Sequence, residues 1–262
     1  MATYLDRIVA AHRKQAALDD RDLGALEATA REMPAARGFR AALASVDLVS
    51  DGVGVIAEVK RRSPSKGDLL VDLDPRGLAQ EYESGGATCL SVLTDADFFA
   101  GSVADLQSAR SACSIPVLRK DFTVSAHDVL DARIMGADCV LLIAAVLSRS
   151  ELASFHDLAV SIGLDVLVEI HDEPELEVAL DIGASLVGVN QRDLITFEVD
   201  HERALRMAGL IPVEAVPIAE SGVRGPADAS DLADAGYRAV LVGESLVTSG
   251  DPRRAVSALR GR

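Results

Sequence analysis

The sequence predicts an α/β chain closed into a (β/α)8 barrel with extra N-terminal helices, and three observations carry that prediction. One phrase recurs along the chain: a helical stretch, a glycine, one to three residues, then a β-branched apolar run. Eight apolar runs follow one another at regular intervals, with helical patterns filling the gaps. Repeated βα units imply right-handed crossovers and a parallel sheet, either closed or doubly wound. The absence of a dinucleotide-binding glycine fingerprint favours closure, a TIM barrel.

The recurring phrase reads Gly86-Ala87-Thr88-Cys89-Leu90, Gly136-Ala137-Asp138-Cys139-Val140 and Gly183-Ala184-Ser185-Leu186-Val187, with looser copies at Gly163 and Gly236. Glycine suits the left-handed residue that ends a helix, and the apolar run after it suits a strand buried on both faces. Two further strands open on proline, at Ile115-Pro116-Val117 and Val216-Pro217-Ile218, since proline is tolerated at a strand's first position. With Val55-Ile56-Ala57, the strands fall at roughly 53–60, 88–93, 116–120, 138–143, 165–170, 186–190, 216–220 and 239–243. Helical spacing marks Leu78 to Glu83, Val103 to Arg110, Ala126 to Met135 and Glu151 to Ser161.

No biased linker divides the chain, so it reads as one barrel domain over 1–262 with residues 1–50 as an N-terminal helical extension. Thr3 and Asp6 form a weak capping box for its first helix, Met33-Pro34 ends a second, and Phe39, Leu43 and Val46 share the face of a third. This extension either covers the base of the barrel or lines its mouth; the pattern alone does not choose.

Composition removes several function classes. A net charge of −15 opposes nucleic acid, though a local field can still draw an anionic small molecule. No apolar run is long enough to span a bilayer, and the N-terminus lacks an apolar signal core, so a cytoplasmic location is expected. Cys89, Cys113 and Cys139 lack metal or disulfide spacing and read as small buried hydrophobes. The five histidines are scattered, and no metal is assigned to them.

Catalytic groups in such barrels stand where strands end. The strand ends here read Glu58-Val59-Lys60, Arg119-Lys120-Asp121, Val168-Glu169, Asn190, Glu220-Ser221-Gly222 and Gly243-Glu244-Ser245. Apolar runs that finish in charge need a reason, because burying unpaired charge is costly. Glu58 and Lys60 are two residues apart and share a face. A structural ion pair at the rim explains one such pair, but explains poorly the whole set of Glu58, Lys60, Lys120, Glu169 and Glu220. Two lysines among three carboxylates can hold proton donors and acceptors in one cavity. Ser221-Gly222 and Gly243-Glu244-Ser245 follow the seventh and eighth strands, where a phosphate is usually cradled. Arg61-Arg62-Ser63-Pro64-Ser65-Lys66-Gly67 is basic in an acidic protein, and reads equally as a flap drawn to anions or as a solvated loop.

These strand ends, in this order, resemble the indole-3-glycerol-phosphate synthase family. The matching phrases are Ile56-Ala57-Glu58-Val59-Lys60-Arg61-Arg62-Ser63-Pro64-Ser65-Lys66-Gly67, Val117-Leu118-Arg119-Lys120-Asp121-Phe122, Val168-Glu169-Ile170-His171, Gly188-Val189-Asn190-Gln191-Arg192-Asp193-Leu194, Ile218-Ala219-Glu220-Ser221-Gly222-Val223 and Val242-Gly243-Glu244-Ser245-Leu246. Gln191 stands where the family often has asparagine.

The resemblance implies a carbon-carbon lyase of tryptophan biosynthesis. It would act without a cofactor on 1-(2-carboxyphenylamino)-1-deoxyribulose 5-phosphate by ring closure, decarboxylation and dehydration. It implies Lys120 as general acid, Glu169 as base with Glu58 assisting, and Lys60 as the partner of the substrate carboxylate that shares acid duty. Ser63, Asn190 and Glu220 would bind substrate, while Arg192, Ser221, Gly222, Gly243 and Ser245 would surround hydroxyls and phosphate. Phe122, with Phe98 or Phe99, would wall the aromatic ring. The partner is thus a small phosphorylated substrate rather than nucleic acid or membrane, and a monomer is favoured. Two other readings remain open at this point: a Schiff-base sugar-phosphate lyase using Lys60 or Lys120, and a non-catalytic phosphate-ester binder on the same barrel.

Overall fold

A computed structural model of the protein describes residues 3–64 and 66–261; Met1, Ala2, Ser65 of the loop-one phrase and Arg262 lie outside them. Eight parallel strands close into a barrel: β1 Gly54–Val59, β2 Cys89–Leu93, β3 Val117–Lys120, β4 Cys139–Ile143, β5 Asp165–Ile170, β6 Leu186–Asn190, β7 Val216–Glu220 and β8 Ala239–Val242. β1 pairs with both β8 and β2, so no strand edge is left open. Each strand matches its expected span to within a residue. One detail differs. Pro217 is the second residue of β7, opposite Val187, rather than the first; its carbonyl still accepts from the backbone N–H of Arg238.

Outer helices alternate with the strands: α4 Pro75–Ser84, α5 Val103–Ala112, α6 Ala126–Ile134, α7 Arg149–Ser161 and α8 Glu173–Asp181 lie between β1 and β6. Short α9 Arg203–Met207, then α10 Pro226–Asp234, α11 Glu244–Val247 and α12 Pro252–Leu259 complete the ring. Ser102, Ser125, Ser148 and Asp172 cap their helices by accepting backbone N–H bonds. The helix-ending glycines take the expected left-handed backbone, as at Gly136 with φ 99°. No helix among the described residues is long and apolar enough to cross a membrane.

Alternation along the strands sorts the core into two shells. Val55, Ala57, Leu90, Val117, Val140 and Val168 face the helices. Ile56, Cys89, Leu118, Leu141, Leu167, Leu186 and Ile218 fill the barrel itself. The three cysteines are free and buried, as small apolar residues would be.

The N-terminal extension serves both ends of the barrel. In α1 (Tyr4–Ala16), the capping box of Thr3 and Asp6 forms as expected. The helix lies over the C-terminal mouth, where Tyr4, Leu5 and Ile8 join the cavity wall. Arg13 anchors it through Glu151 at 2.5 Å and the Val124 carbonyl at 2.9 Å. α2 (Leu23–Glu32) packs on α6. α3 (Phe39–Ala44) instead plugs the base: Phe39 and Leu43 are fully buried against the interior shell. Arg37 and Arg40 tie that plug down, donating backbone N–H bonds to Asp138 and Asp165 at 2.9 and 2.8 Å.

Truncating Phe39 to alanine is expected to open a cavity at the foot of the barrel and cost about 3–5 kcal/mol. Urea unfolding of Phe39→Ala beside the parent protein measures it, with near-unchanged stability the contrary result.

Candidate active site

The same alternation that fills the barrel with apolar side chains places charge on its uppermost inward layer. Inward positions run Ile56 to Glu58 on β1, Leu118 to Lys120 on β3, Leu167 to Glu169 on β5 and Ile218 to Glu220 on β7. Ladder pairing brings them level: Leu93 lies opposite Lys120, Ile143 opposite Glu169, and Asn190 opposite Glu220. Above them opens a cavity of about 880 Å³. Of the residues to which the resemblance gives a role, all but Phe98 line it: Glu58, Lys60, Ser63, Phe99, Lys120, Phe122, Glu169, Asn190, Arg192, Glu220, Ser221, Gly222, Gly243 and Ser245.

Lys120 is the centre of the floor. Its Nζ donates to Glu169 Oε2 at 2.7 Å and to Glu220 Oε2 at 3.0 Å. Asn190 Nδ2 donates to the other Glu169 oxygen at 2.8 Å, and Asn190 Oδ1 in turn accepts the Arg192 backbone N–H at 3.0 Å. The space for Glu220 comes from Gly188, whose added Cβ would meet Glu220 Oε1 at 2.0 Å. Glycine in the middle of β6 is therefore a steric requirement of the floor. Beside this group Lys60 donates to Glu58 Oε1 at 2.5 Å, and Ser91 reaches Glu58 Oε2 at 3.4 Å. The rim ion pair and the cavity-facing constellation are thus the same residues.

The environment separates the two floor carboxyls. Burial raises both, but Glu169 has the Lys120 charge, the nearby His171 and the Lys120 and Asn190 hydrogen bonds, and is driven below the usual carboxylate range. Glu220 shares only Lys120, its Oε1 has no partner, and it is repelled by Glu169 and Glu58; burial and those charges push it up to about 7. Burial opposes the Lys120 charge, yet Glu169, Glu220 and Glu58 outweigh it and hold the ammonium charged. One cavity therefore contains a fixed carboxylate, a fixed ammonium and a carboxyl able to change state near neutrality.

Around this floor the walls divide by chemistry. Phe122 and Phe99 stand 6.4 Å apart as an apolar wall, with Tyr4, Leu5 and Ile8 of α1 closing over it. Phe98 does not reach the cavity; it packs edge-on to Tyr4 at 5.9 Å. Ser221 takes a left-handed backbone with φ 64°, and Ser221 and Gly222 line the cavity beside Gly243 and Ser245, which follow the neighbouring strand β8. Loop one folds into a small hairpin, Arg62–Ser63 against Gly67–Asp68, which sequence patterning did not indicate. It hangs beside the opening, with Lys66 3.9 Å from Glu244. Phe197, Val199 and Arg224 also line the cavity without any indication in sequence, while α1 takes the mouth-lining position, one of the two left open for the N-terminal extension. His12, Asp95 and Asp121 converge above Phe122, but Asp95 and Asp121 are already engaged by backbone N–H groups, Thr94 and Arg119.

Residues 5–259 match the family model for indole-3-glycerol phosphate synthase. The chain belongs to the indole-3-glycerol phosphate synthase family. It is 51% identical over 231 residues to the indole-3-glycerol phosphate synthase of a Nocardioides species, covering 85% of this chain and 89% of the relative. It is 53% identical over 233 residues to indole-3-glycerol phosphate synthase 1 of Streptomyces coelicolor, covering 89% and 84%. The Rhodococcus jostii relative of the same name is 49% identical over 259 residues, 98% of this chain and 94% of the relative. Thiamine phosphate pyrophosphorylase from Pyrococcus furiosus superposes with a TM-score of 0.60 over 80% of this chain and 94% of that one, at 16% identity, a likeness of fold alone.

The raised Glu220 gives a signed prediction for this member of the indole-3-glycerol phosphate synthase family. A carboxyl protonated more readily in the folded state contributes stability below its unfolded value, lost as pH rises toward about 7. Glu220→Gln should therefore gain stability relative to the parent between pH 5 and pH 7.5, by roughly 2 kcal/mol. Denaturant unfolding at both pH values tests this; a pH-independent difference counts against it.

Proposed function

We propose that the chain converts 1-(2-carboxyphenylamino)-1-deoxyribulose 5-phosphate to indole-3-glycerol phosphate, carbon dioxide and water by lysine and glutamate acid–base chemistry. The observation that carries this reading is the Lys120 ammonium between Glu169 and Glu220 on the cavity floor, at 2.7 and 3.0 Å.

The atoms dictate what is needed. The substrate ring carbon that bears the carboxylate attacks the sugar ketone, whose oxygen must take a proton. Carbon dioxide then leaves with its bonding pair returning to the ring system. The hydroxyl departs as water after accepting a second proton, while one methylene proton is removed. Two protons go to oxygen and one returns from carbon, so each turnover consumes one proton.

Lys120 supplies the first proton: it is charged and set at a strand end within the cavity. Glu169 is the base for the methylene proton, and its contact with Lys120 lets that proton recharge the amine. Lys60 holds the substrate carboxylate by exchanging its partner Glu58 for it, and gives the second proton, with Glu58 assisting. Asn190 and Glu220 hold sugar hydroxyls. Arg192, Ser221, Gly222, Gly243 and Ser245 surround hydroxyls and phosphate, and Ser63 closes from loop one. Phe122 and Phe99 stack against the aromatic ring. An amine kept as ammonium by Glu169 and the neighbouring acidic groups has no lone pair to form a Schiff base, which favours acid catalysis over the lyase reading.

Lys120→Met and Glu169→Gln should each lower kcat by about 10²–10⁴-fold, followed by indole absorbance and carbon dioxide release. A borohydride-trapped lysine adduct with the substrate would overturn the acid role. In single turnovers, Lys120→Met should stall before ring closure, whereas Lys60→Met should accumulate a closed, non-aromatic intermediate. Equal loss at ring closure in both contradicts the division between the lysines.

A further inference from the structure

His171 follows β5 by one residue and stands behind Glu169, on the far side of that carboxyl from Lys120. Its backbone N–H donates to Glu175 Oε2 at 2.7 Å, and its ring Nδ1 lies 3.1 Å from the same oxygen. Glu175 is held as part of α8, so the ring is fixed from two points. The other ring nitrogen, Nε2, is buried without a hydrogen-bond partner and lies 3.8 Å from Glu169 Oε1.

The arrangement constrains the proton. A carboxylate can only accept, so Nδ1 carries hydrogen toward Glu175. In a neutral ring Nε2 then points a bare lone pair toward the carboxylate oxygen of Glu169. Placing hydrogen on Nε2 turns that conflict into an attraction between imidazolium and carboxylate across 3.8 Å, while Nδ1 keeps its bond to Glu175. The charged groups around the imidazole agree. Burial alone would lower its basicity, but the Glu175 bond and the charges of Glu169 and Glu175 outweigh burial and the opposing Arg203, and the result is a raised value.

This site has a use in the proposed reaction. Once Lys120 hands its proton to the ketone oxygen, Glu169 loses the cation that keeps it ionised, shortly before it must act as base. We propose that His171 is a positioning residue for Glu169: as an imidazolium anchored by Glu175, it keeps the carboxylate ionised and aimed at the substrate while Lys120 is neutral. The inference rests on the acid and base roles given above to Lys120 and Glu169.

The test has one kinetic and one non-kinetic arm. In His171→Gln, the acid limb of the kcat–pH profile should move up by about one pH unit, because Glu169 is protonated more readily without the neighbouring cation. Below that limb kcat should fall about tenfold, with KM little changed. Glu175→Gln should move the limb in the same direction by less. A His171→Gln profile that overlays the parent after vertical scaling overturns the proposal. Independently of turnover, the NMR titration of the His171 ring should fall by about one pH unit in Glu169→Gln relative to the parent. An unchanged titration overturns the coupling even if His171→Gln does not fold. Absence of turnover in the parent protein would count against the reaction instead, leaving the NMR arm to decide the contact.

Discussion

Everything at the top of this barrel depends on one buried cation. Glu58, Glu169 and Glu220 are almost wholly out of solvent, and three carboxylates so close together cannot all ionise without a counter-charge. Lys120 supplies it, bridging two of them directly. Such an arrangement is poor value as a stabilising device, since the desolvation of buried ions offsets most of their attraction. It makes sense as a functional one. In the proposed reaction the proton donor is held charged by the carboxylate that later returns a proton to it, and both come from strands that the closed barrel holds in register.

The barrel resolves the resulting conflict by separating its ends. Below the charged layer the interior is apolar down to the plug formed by Phe39 and Leu43. Above it, α1 brings Tyr4, Leu5 and Ile8 to a wall that already holds Phe99 and Phe122. An apolar lid and an apolar base around an ionic layer lower the local dielectric and strengthen each electrostatic contact within it. The N-terminal extension, external to the βα repeat, thus contributes to both stability and the site.

Much of this was readable in the residues because period and chemistry agreed. A strand buried on both faces is an apolar run, and the glycine that ends the preceding helix marks where it starts; hence eight strands were placed almost to the residue. The site was legible because Glu58, Lys120, Glu169 and Glu220 interrupt those runs at their C-terminal ends. What could not be read was anything decided by packing between distant segments. The apolar faces of α1 and α3 carry no residue that names their destination, yet one turns to the mouth and the other to the base. The loop-one hairpin has only two residues in each strand, too few to establish alternation. His171 looked like a stray histidine after a strand, and only the fold shows it wedged between Glu175 and the Glu169 carboxyl.

The sign of the charge remains to be reconciled, because an acidic protein is proposed to capture a substrate carrying both carboxylate and phosphate. The net −15 is dispersed over the whole surface, where solvent ions screen it beyond about 10 Å. What the substrate meets is the cavity, where Lys60, Lys66, Arg192 and Arg224 line the walls and opening. The floor carboxyls are already compensated, Glu169 by Lys120 and Glu220 by its tendency to keep a proton. Glu58 is the remaining carboxylate, and it is paired to Lys60. In the proposed reaction, a substrate carboxylate arriving at Lys60 replaces one anion by another there, and leaves Glu58 free to take part in proton transfer. On that reading the Lys60–Glu58 ion pair is the means by which an acidic protein admits an anion without adding net charge to the cavity wall.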